Sequence, residues 1–325
     1  MNTPLLSVVA ATSLLFGSVT PPAPVPINGA PPPLPEVSSS AWVLYAPDSG
    51  VILDGRNEEQ SLPMASVTKM MTALVVRDVL EMDDRVRISP SAAGTGEAEI
   101  GLVPGERWSV EDLLYATLVR SANDAAVALA QAAGGSIDGF AEMMNAKAVE
   151  LGLTGSRFVN PHGLDADGHF ATASDLAKIG AAVLEDDALA EMVRTRVVVF
   201  KDAPDGAARM AVNTNKLLGA YPGLVGVKTG FTNEAGRVLV AAIETPGRRI
   251  VSVVMGSDDH FGDSRELLEY GRRLHHFSDV AAAVVDSEPL PTGRDHVTAL
   301  ESTAIGQDIA DRLRTMLPIV LGGGG

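Results

Sequence analysis

The chain has no cysteine among its 325 residues, which excludes disulfides, thiolate metal sites and thiol nucleophiles. That absence fits an exported protein. Aromatic residues make up only 4%, and no basic run interrupts a formal net charge of −16. A nucleic-acid partner calls for a positive face interleaved with aromatics, so nucleic acid is excluded as a partner. There is no glycine-rich phosphate loop after a strand, and no strand–helix alternation of a doubly wound sheet.

Long hydrophobic runs are missing as well. Leu5 to Phe16 is a short apolar run, followed by small residues and a proline-rich segment from Pro21 to Pro35. It is too short to span a bilayer and suits a secretory leader, although no Lys or Arg precedes Arg56. Residues 1–38 are therefore read as leader and extended linker, and the protein as one exported to the cell envelope. The last part, 280–325, reads as a tail. Ile305, Ile309 and Leu313 hint at a short amphipathic helix there, before Leu317 to Leu321 and four glycines. With balanced charges, that ending allows no more than a peripheral contact with a membrane surface.

What remains, 39–279, has 46% hydrophobic residues over the whole chain behind it, enough for a sizeable core. Ala41 to Tyr45 and Val51 to Leu53 flank Asp48-Ser49-Gly50, the pattern of a β-hairpin. Helices are expected from about Ser66 to Val79, over Val110 to Val119, Ala122 to Ala133, Ile137 to Leu151 and Thr172 to Leu184. Strands are expected at Arg85–Ile88, Val197–Phe200, Arg209–Val212, Val225–Thr229, Val238–Ile243 and Ile250–Met255, with a closing helix from Ser264 to Leu274. Helices in the middle and strands at both ends make an α+β layout, in which the N-terminal hairpin joins the late strands in one sheet.

Three short motifs carry candidate chemistry. In Pro63-Met64-Ala65-Ser66-Val67-Thr68-Lys69 a serine opens an apolar helix and a lysine follows one turn later, so the two side chains meet. Buried ammonium is costly, and a neutral lysine is a base that can activate a serine. The plainer reading is a capping serine with a lysine stem lying along the core. Ser121-Ala122-Asn123 falls at a break between two helices, where it either faces a cleft or simply caps the second helix. Lys228-Thr229-Gly230-Phe231 lies on a strand, where the missing Cβ of Gly230 leaves the backbone open to an extended peptide with a carboxylate end. The alternative there is an edge strand guarded by a lysine.

In this order and spacing the motifs resemble the penicillin-recognising serine enzymes, penicillin-binding proteins and serine β-lactamases. The finer resemblance is to the low-molecular-mass D-alanyl-D-alanine carboxypeptidases. It rests on Ser121 to Ala126, Phe158-Val159-Asn160-Pro161-His162-Gly163-Leu164, Asn213 to Leu218, and Lys228 to Thr232 with Ala235-Gly236. It covers about Ser39 to Phe277. The resemblance implies an antiparallel sheet from both chain ends, packed by helices, with an all-helical subdomain. It also implies hydrolysis of the terminal D-alanine from peptidoglycan stem peptides through an acyl-enzyme on Ser66, with β-lactam antibiotics as covalent inhibitors and no cofactor or metal. Lys69 would be the base, its pKa lowered by burial and by Lys228, since only about 0.04% of an ordinary lysine is neutral at pH 7. Ser121 would relay the proton and Asn123 would hold Lys69. Lys228 and Thr229, helped by Arg265, would bind the terminal carboxylate. The N–H groups of Ser66 and Phe231 would form the oxyanion hole.

The sequence also departs from its relatives. Ala122 stands where class A β-lactamases have aspartate, and their Glu-x-x-x-Asn deacylation segment has no counterpart; Glu142 and Asn145 are wrongly spaced for it. The stretch after Val280 reads as too short for the β-rich second domain of some carboxypeptidases. A cross-link endopeptidase, a weak β-lactamase and a non-catalytic wall-binding protein are the alternative functions. His162 is expected to pin a turn rather than to serve in a Ser-His-Asp triad.

Overall fold

The computed structural model describes residues 32–200, 208–245 and 248–287, with side chains as far as Leu274. The leader reading over residues 1–31 and the tail reading over 288–325 lie outside these residues. Residues 31–278 form one compact unit.

Its frame is a five-stranded antiparallel sheet. In chain order its strands are β1 (Ala41–Ala46), β2 (Val51–Arg56), β7 (Leu224–Thr232), β8 (Gly236–Thr245) and β9 (Arg248–Ser257). They lie side by side as β2-β1-β9-β8-β7, so the N-terminal hairpin joins the late strands as expected. Period-2 alternation sorts their side chains onto two faces. Ala41, Val43, Val240, Ala242, Val251 and Val253 face the main core, while Trp42, Leu44, Leu239, Ala241, Ile243 and Ile250 face a second cluster. That second cluster includes Leu267, Leu268 and Tyr270 of the closing helix α8 (His260–Ser287). At its start, Asp263 accepts hydrogen bonds from the Ser38 and Ser39 amides and from the Ser38 and Ser257 hydroxyls, tying the chain entry to the end of β9.

On the main face α6 (Ala173–Glu185) lies against β1, β8 and β9, and next to it is α1 (Thr68–Val79), every residue of which from Thr68 to Val76 is buried. A helix buried on every side over most of its length belongs in the centre of a core. Around it pack α4 (Asn123–Gly134), α5 (Ile137–Glu150) and α6. Thr172 and Ser136 cap α6 and α5 through bonds from the Asp175 and Gly139 amides.

The helical region is not purely helical. It also holds a ribbon of β3 (Arg85–Arg87) with β4 (Arg107–Ser109), the one-turn α2 (Pro90–Ala93) and α3 (Val110–Tyr115), which runs on into a wider turn over Ala116–Arg120. The strands β5 (Val197–Phe200) and β6 (Arg209–Val212) do not enter the main sheet. They form a separate hairpin after α7 (Asp187–Arg194), with Phe200 edge-on to Trp108 at 5.6 Å between centroids. No helix among the described residues is long and apolar enough to cross a membrane.

Candidate active site

The site forms where the edge strand β7 faces the turn that leads into α1. Ala65–Val67 is a single tight helical turn, and α1 proper starts at Thr68 rather than at Ser66. Ala65 takes a left-handed backbone conformation, φ 51°, uncommon for a residue with a side chain. This lifts Ser66, which is only half-buried, out of a helix whose next ten residues are in the core.

Lys69 is completely buried. Its Nζ lies 2.9 Å from Ser66 Oγ, 2.7 Å from Asn123 Oδ1 and 2.6 Å from the His162 carbonyl. Two of these neighbours can only accept, and the third is a hydroxyl that can also donate. A neutral amine has two N–H groups and one lone pair, so it satisfies this triangle with the lone pair directed at the serine proton. Burial is the main force lowering the Lys69 pKa well below its ordinary value, and the charge of Lys228 adds to it; Glu97 and Asp124 pull the other way. The two causes expected from the sequence are the two that lower it.

Asn123 is held at the start of α4, its Nδ2 donating to the Gly96 carbonyl and its amide N–H to Ala98. The bond to Gly96 fixes which end of the side-chain amide faces Lys69. Asp124 is buried beside it and accepts from the Leu102 and Ala125 amides, fastening the 96–102 loop to the helix. Ser121 sits at the helix break with φ 67°, and its buried Oγ has no hydrogen-bond partner among the described residues. A capping serine would bond an amide of the following helix, so the capping alternative does not apply.

On β7, Lys228 and Gly230 share one buried face. Lys228 is 1% exposed, and among the described residues its Nζ donates only to the Thr229 carbonyl, at 3.1 Å. Burial pushes its pKa down to about 7. A Cβ on Gly230 would stand 3.0 Å from Ser66 N, so glycine is what leaves that amide open. Thr229 Oγ1 bonds Thr214 Oγ1 at 2.6 Å, and the Thr214 amide reaches back to Val119. Phe231 is 61% exposed at the rim, with the Arg237 guanidinium over its ring. Past it runs an open cleft of about 430 Å³ lined by Glu97, Leu164, Asp165, Phe231, Thr232 and Asn233.

The fold thus unites Ser66, Lys69 and Asn123 by direct contact and sets Ser121, Lys228, Thr229, Gly230 and Phe231 on the break and strand beside them. Arg265 is not joined to them. It is exposed on α8, whose buried face packs behind the sheet, and no hydrogen bond or ion pair links it to the other site residues. His162 does pin a turn, its Nδ1 accepting from Leu164 N, but it also gives the site its backbone carbonyl. Burial, followed by the charge of Lys69, lowers its pKa to about 3, and neither ring nitrogen touches Ser66. From that turn Gly163 presses on Ala65–Val67: a Cβ there would lie 1.9 Å from the Ala65 carbonyl oxygen. Among the described residues no cluster of His, Asp and Glu is arranged to hold a metal.

The profile of the family described as D-alanyl-D-alanine carboxypeptidase matches residues 28–259. The chain belongs to that family. It is 38% identical over 220 residues to the D-alanyl-D-alanine carboxypeptidase DacF of Bacillus subtilis, covering 66% of this chain and 56% of that one. With DacC of Escherichia coli it shares 36% over 256 residues, 74% of this chain and 62% of the relative. It therefore spans less than two thirds of the length of both. Against DacB2 of Mycobacterium tuberculosis the identity is 33% over 252 residues, 75% of this chain and 85% of the relative. Among solved structures, the Streptomyces K15 DD-transpeptidase superposes with a TM-score of 0.69 at 28% identity, over 73% of this chain and 98% of its own. The D-alanyl-D-alanine carboxypeptidase of Mycobacterium tuberculosis H37Rv gives 0.69 at 32%, over 74% and 92%. The transpeptidase-like fold implied by the motifs is the fold of these neighbours.

Proposed function

We propose that the protein is a serine D-alanyl-D-alanine carboxypeptidase that trims peptidoglycan stem peptides, acting outside the cytoplasmic membrane where that polymer lies. The observation that carries this reading is the Lys69 amine, fully buried and within hydrogen-bond reach of Ser66 Oγ, with two carbonyl oxygens taking its N–H groups. That arrangement keeps a base ready beside a nucleophile.

The stem peptide lies as an added strand along the free edge of β7, its terminal carboxylate near Lys228 and Thr229. Lys228 supports this placement, since a buried ammonium with one weak partner gains most from an anion. Ser66 Oγ attacks the carbonyl between the two D-alanines as its proton passes to Lys69 Nζ. The oxyanion faces the Ser66 and Phe231 amides. The C–N bond then breaks, the proton passes from Lys69 by way of the Ser121 hydroxyl to the leaving amine, and D-alanine departs. Ser121 Oγ has no hydrogen-bond partner among the described residues, which leaves it free to bond the substrate. In the second half water attacks the ester. Lys69, neutral again, is the only basic side chain hydrogen-bonded to Ser66 among the described residues. A β-lactam, which mimics the D-alanyl-D-alanine end, would acylate the same serine.

D-alanine release from a peptide ending Lys-D-Ala-D-Ala tests the reading, with Ser66→Ala as control. Steady release by the wild type and none by the variant is the expected result. A folded wild type that releases no D-alanine contradicts it. Cleavage of cross-linked dimers in that case would point to the endopeptidase, and rapid penicillin turnover to the β-lactamase.

A further inference from the structure

Behind the nucleophile lies a buried chain of hydrogen bonds that the reaction above does not use. His169 is 6% exposed, in the loop before α6. Its Nδ1 accepts from the Val159 amide at 3.2 Å, and its Nε2 stands 2.8 Å from Thr68 Oγ1. Thr68 Oγ1 in turn donates to the Ala65 carbonyl at 2.8 Å. The directions are forced. An amide can only donate, so Nδ1 is bare and the ring proton sits on Nε2. That proton goes to Thr68, which leaves the Thr68 hydroxyl proton for Ala65. Phe158 packs edge-on against the ring at 6.1 Å, and burial holds the imidazole neutral, its pKa down to about 4.

The Ala65 carbonyl and the Ser66 N–H belong to one planar trans peptide, so they point in opposite directions. Fixing the first aims the second. The Thr68 amide also donates to this carbonyl, so the Thr68 hydroxyl is the second group that holds it, next to an Ala65 in the left-handed conformation. Gly163 packs against the same carbonyl on one side, and Gly230 leaves the Ser66 amide open on the other.

We infer that His169 is a positioning residue for the oxyanion hole, acting through Thr68 on the Ala65–Ser66 peptide. The inference rests on Ser66 being the acylated serine, and it is indifferent to whether the acyl donor is a stem peptide or a β-lactam.

The test uses the full chain with Thr68→Val, Thr68→Ser, His169→Leu and His169→Gln. Three quantities are read: the acylation rate with a fluorescent penicillin, the Ki of a D-alanine-derived boronic acid, and KM for D-alanine release. The boronate adduct carries the tetrahedral geometry and anionic oxygen of the transition state. A lost oxyanion donor costs about 10²–10³ in rate, and a misaimed one less. Thr68→Val and His169→Leu are therefore expected to slow acylation and weaken boronate binding, each by about tenfold or more, while KM stays within about twofold. Thr68→Ser restores both, since it keeps the hydroxyl, and His169→Gln restores part through its amide N–H. Thr68→Val is isosteric, so it reads the hydroxyl even if His169→Leu fails to fold. Acylation and boronate affinity within about twofold of wild type in a folded Thr68→Val would overturn the inference. So would a loss that Thr68→Ser does not rescue. Penicillin acylation without D-alanine release in the wild type would count against the substrate reading alone.

Discussion

Replacing Lys69 with methionine is expected to stop acylation of Ser66 while leaving the protein folded. Methionine has nearly the same length, so the packing around α1 survives. What goes is the base within 2.9 Å of Ser66 Oγ. General-base assistance contributes about 10²–10⁴ in rate, and here no other side chain base is hydrogen-bonded to the serine among the described residues. The stability change is the difference of two opposed effects. Asn123 Oδ1 loses its donor, at about 1–3 kcal/mol for a group left unpaired, and the His162 carbonyl keeps only the long 3.4 Å bond from Ser66 Oγ. Against that, a completely buried amine no longer has to be desolvated. A melting temperature within about 5 °C of wild type, with no penicillin adduct after wild-type protein is fully labelled, is the outcome expected from intact-mass measurements. An adduct formed at the wild-type rate would remove Lys69 from the chemistry.

The second large effect is expected at a residue that has no side chain. Gly163→Ala places a methyl 1.9 Å from the Ala65 carbonyl oxygen and 2.9 Å from Ser66 N, at a backbone φ of +89°. The neighbours met are main chain, which cannot swing aside as a side chain tip can. Either the 160–164 turn or the Ser66 turn must move. The first takes the His162 carbonyl from Lys69, and the second misplaces the nucleophile. We expect a loss of about 2–4 kcal/mol in stability and at least about 10² in acylation rate. Gly152→Ala separates conformation from contact, since Gly152 is also left-handed at φ +65° but has nothing within 4 Å of the added methyl. It should cost about 1 kcal/mol and leave the rate alone. Equal effects of the two substitutions would mean that backbone strain, not the contact with Ala65, is what matters at Gly163.

These two cases mark what the sequence makes legible and what it hides. The side chains proposed for the chemistry stand out: Ser66, Lys69, Ser121, Asn123 and Lys228 are polar residues at fixed spacing in largely apolar stretches, and helix and strand periods place them. The main strands follow from alternation, so β7, β8 and β9 differ from expectation by only a residue or two at most ends. Backbone groups leave no such signature. The His162 carbonyl and the Ala65–Ser66 peptide shape the site, but any residue has a carbonyl. Gly163 is visible as a glycine, yet nothing local says that a carbonyl from a hundred residues away rests on it. Short elements fail for a related reason. The three residues of β4 and the single turn of α2 are too brief for a period, and they persist through tertiary contacts such as the Trp108–Phe200 pair. Val197–Phe200 and Arg209–Val212 read correctly as strands, but alternation alone does not say which sheet they join. Arg265 came from a resemblance in a region of the chain, and a helix turns its face every residue; on α8 this one faces solvent.

The central claim is that the active-site lysines are poised by burial, and it is tested most directly by titrating them. Lysine labelled with ¹³C at Cε reports each amine by NMR, and Lys69→Met and Lys228→Met assign the two signals. The account predicts that Lys69 titrates well below 10.5 and Lys228 near 7. Below its pKa Lys69 is protonated and cannot take the serine proton, whereas Lys228 must keep its proton to hold a carboxylate. The kcat/KM profile should accordingly rise with pH as Lys69 becomes neutral and fall as free Lys228 loses its charge, with Lys228→Arg carrying the falling limb to higher pH. If both lysines titrate at the ordinary value while the rate is already level at pH 7, Lys69 is a charged structural residue. The activation of Ser66 would then have to come from elsewhere.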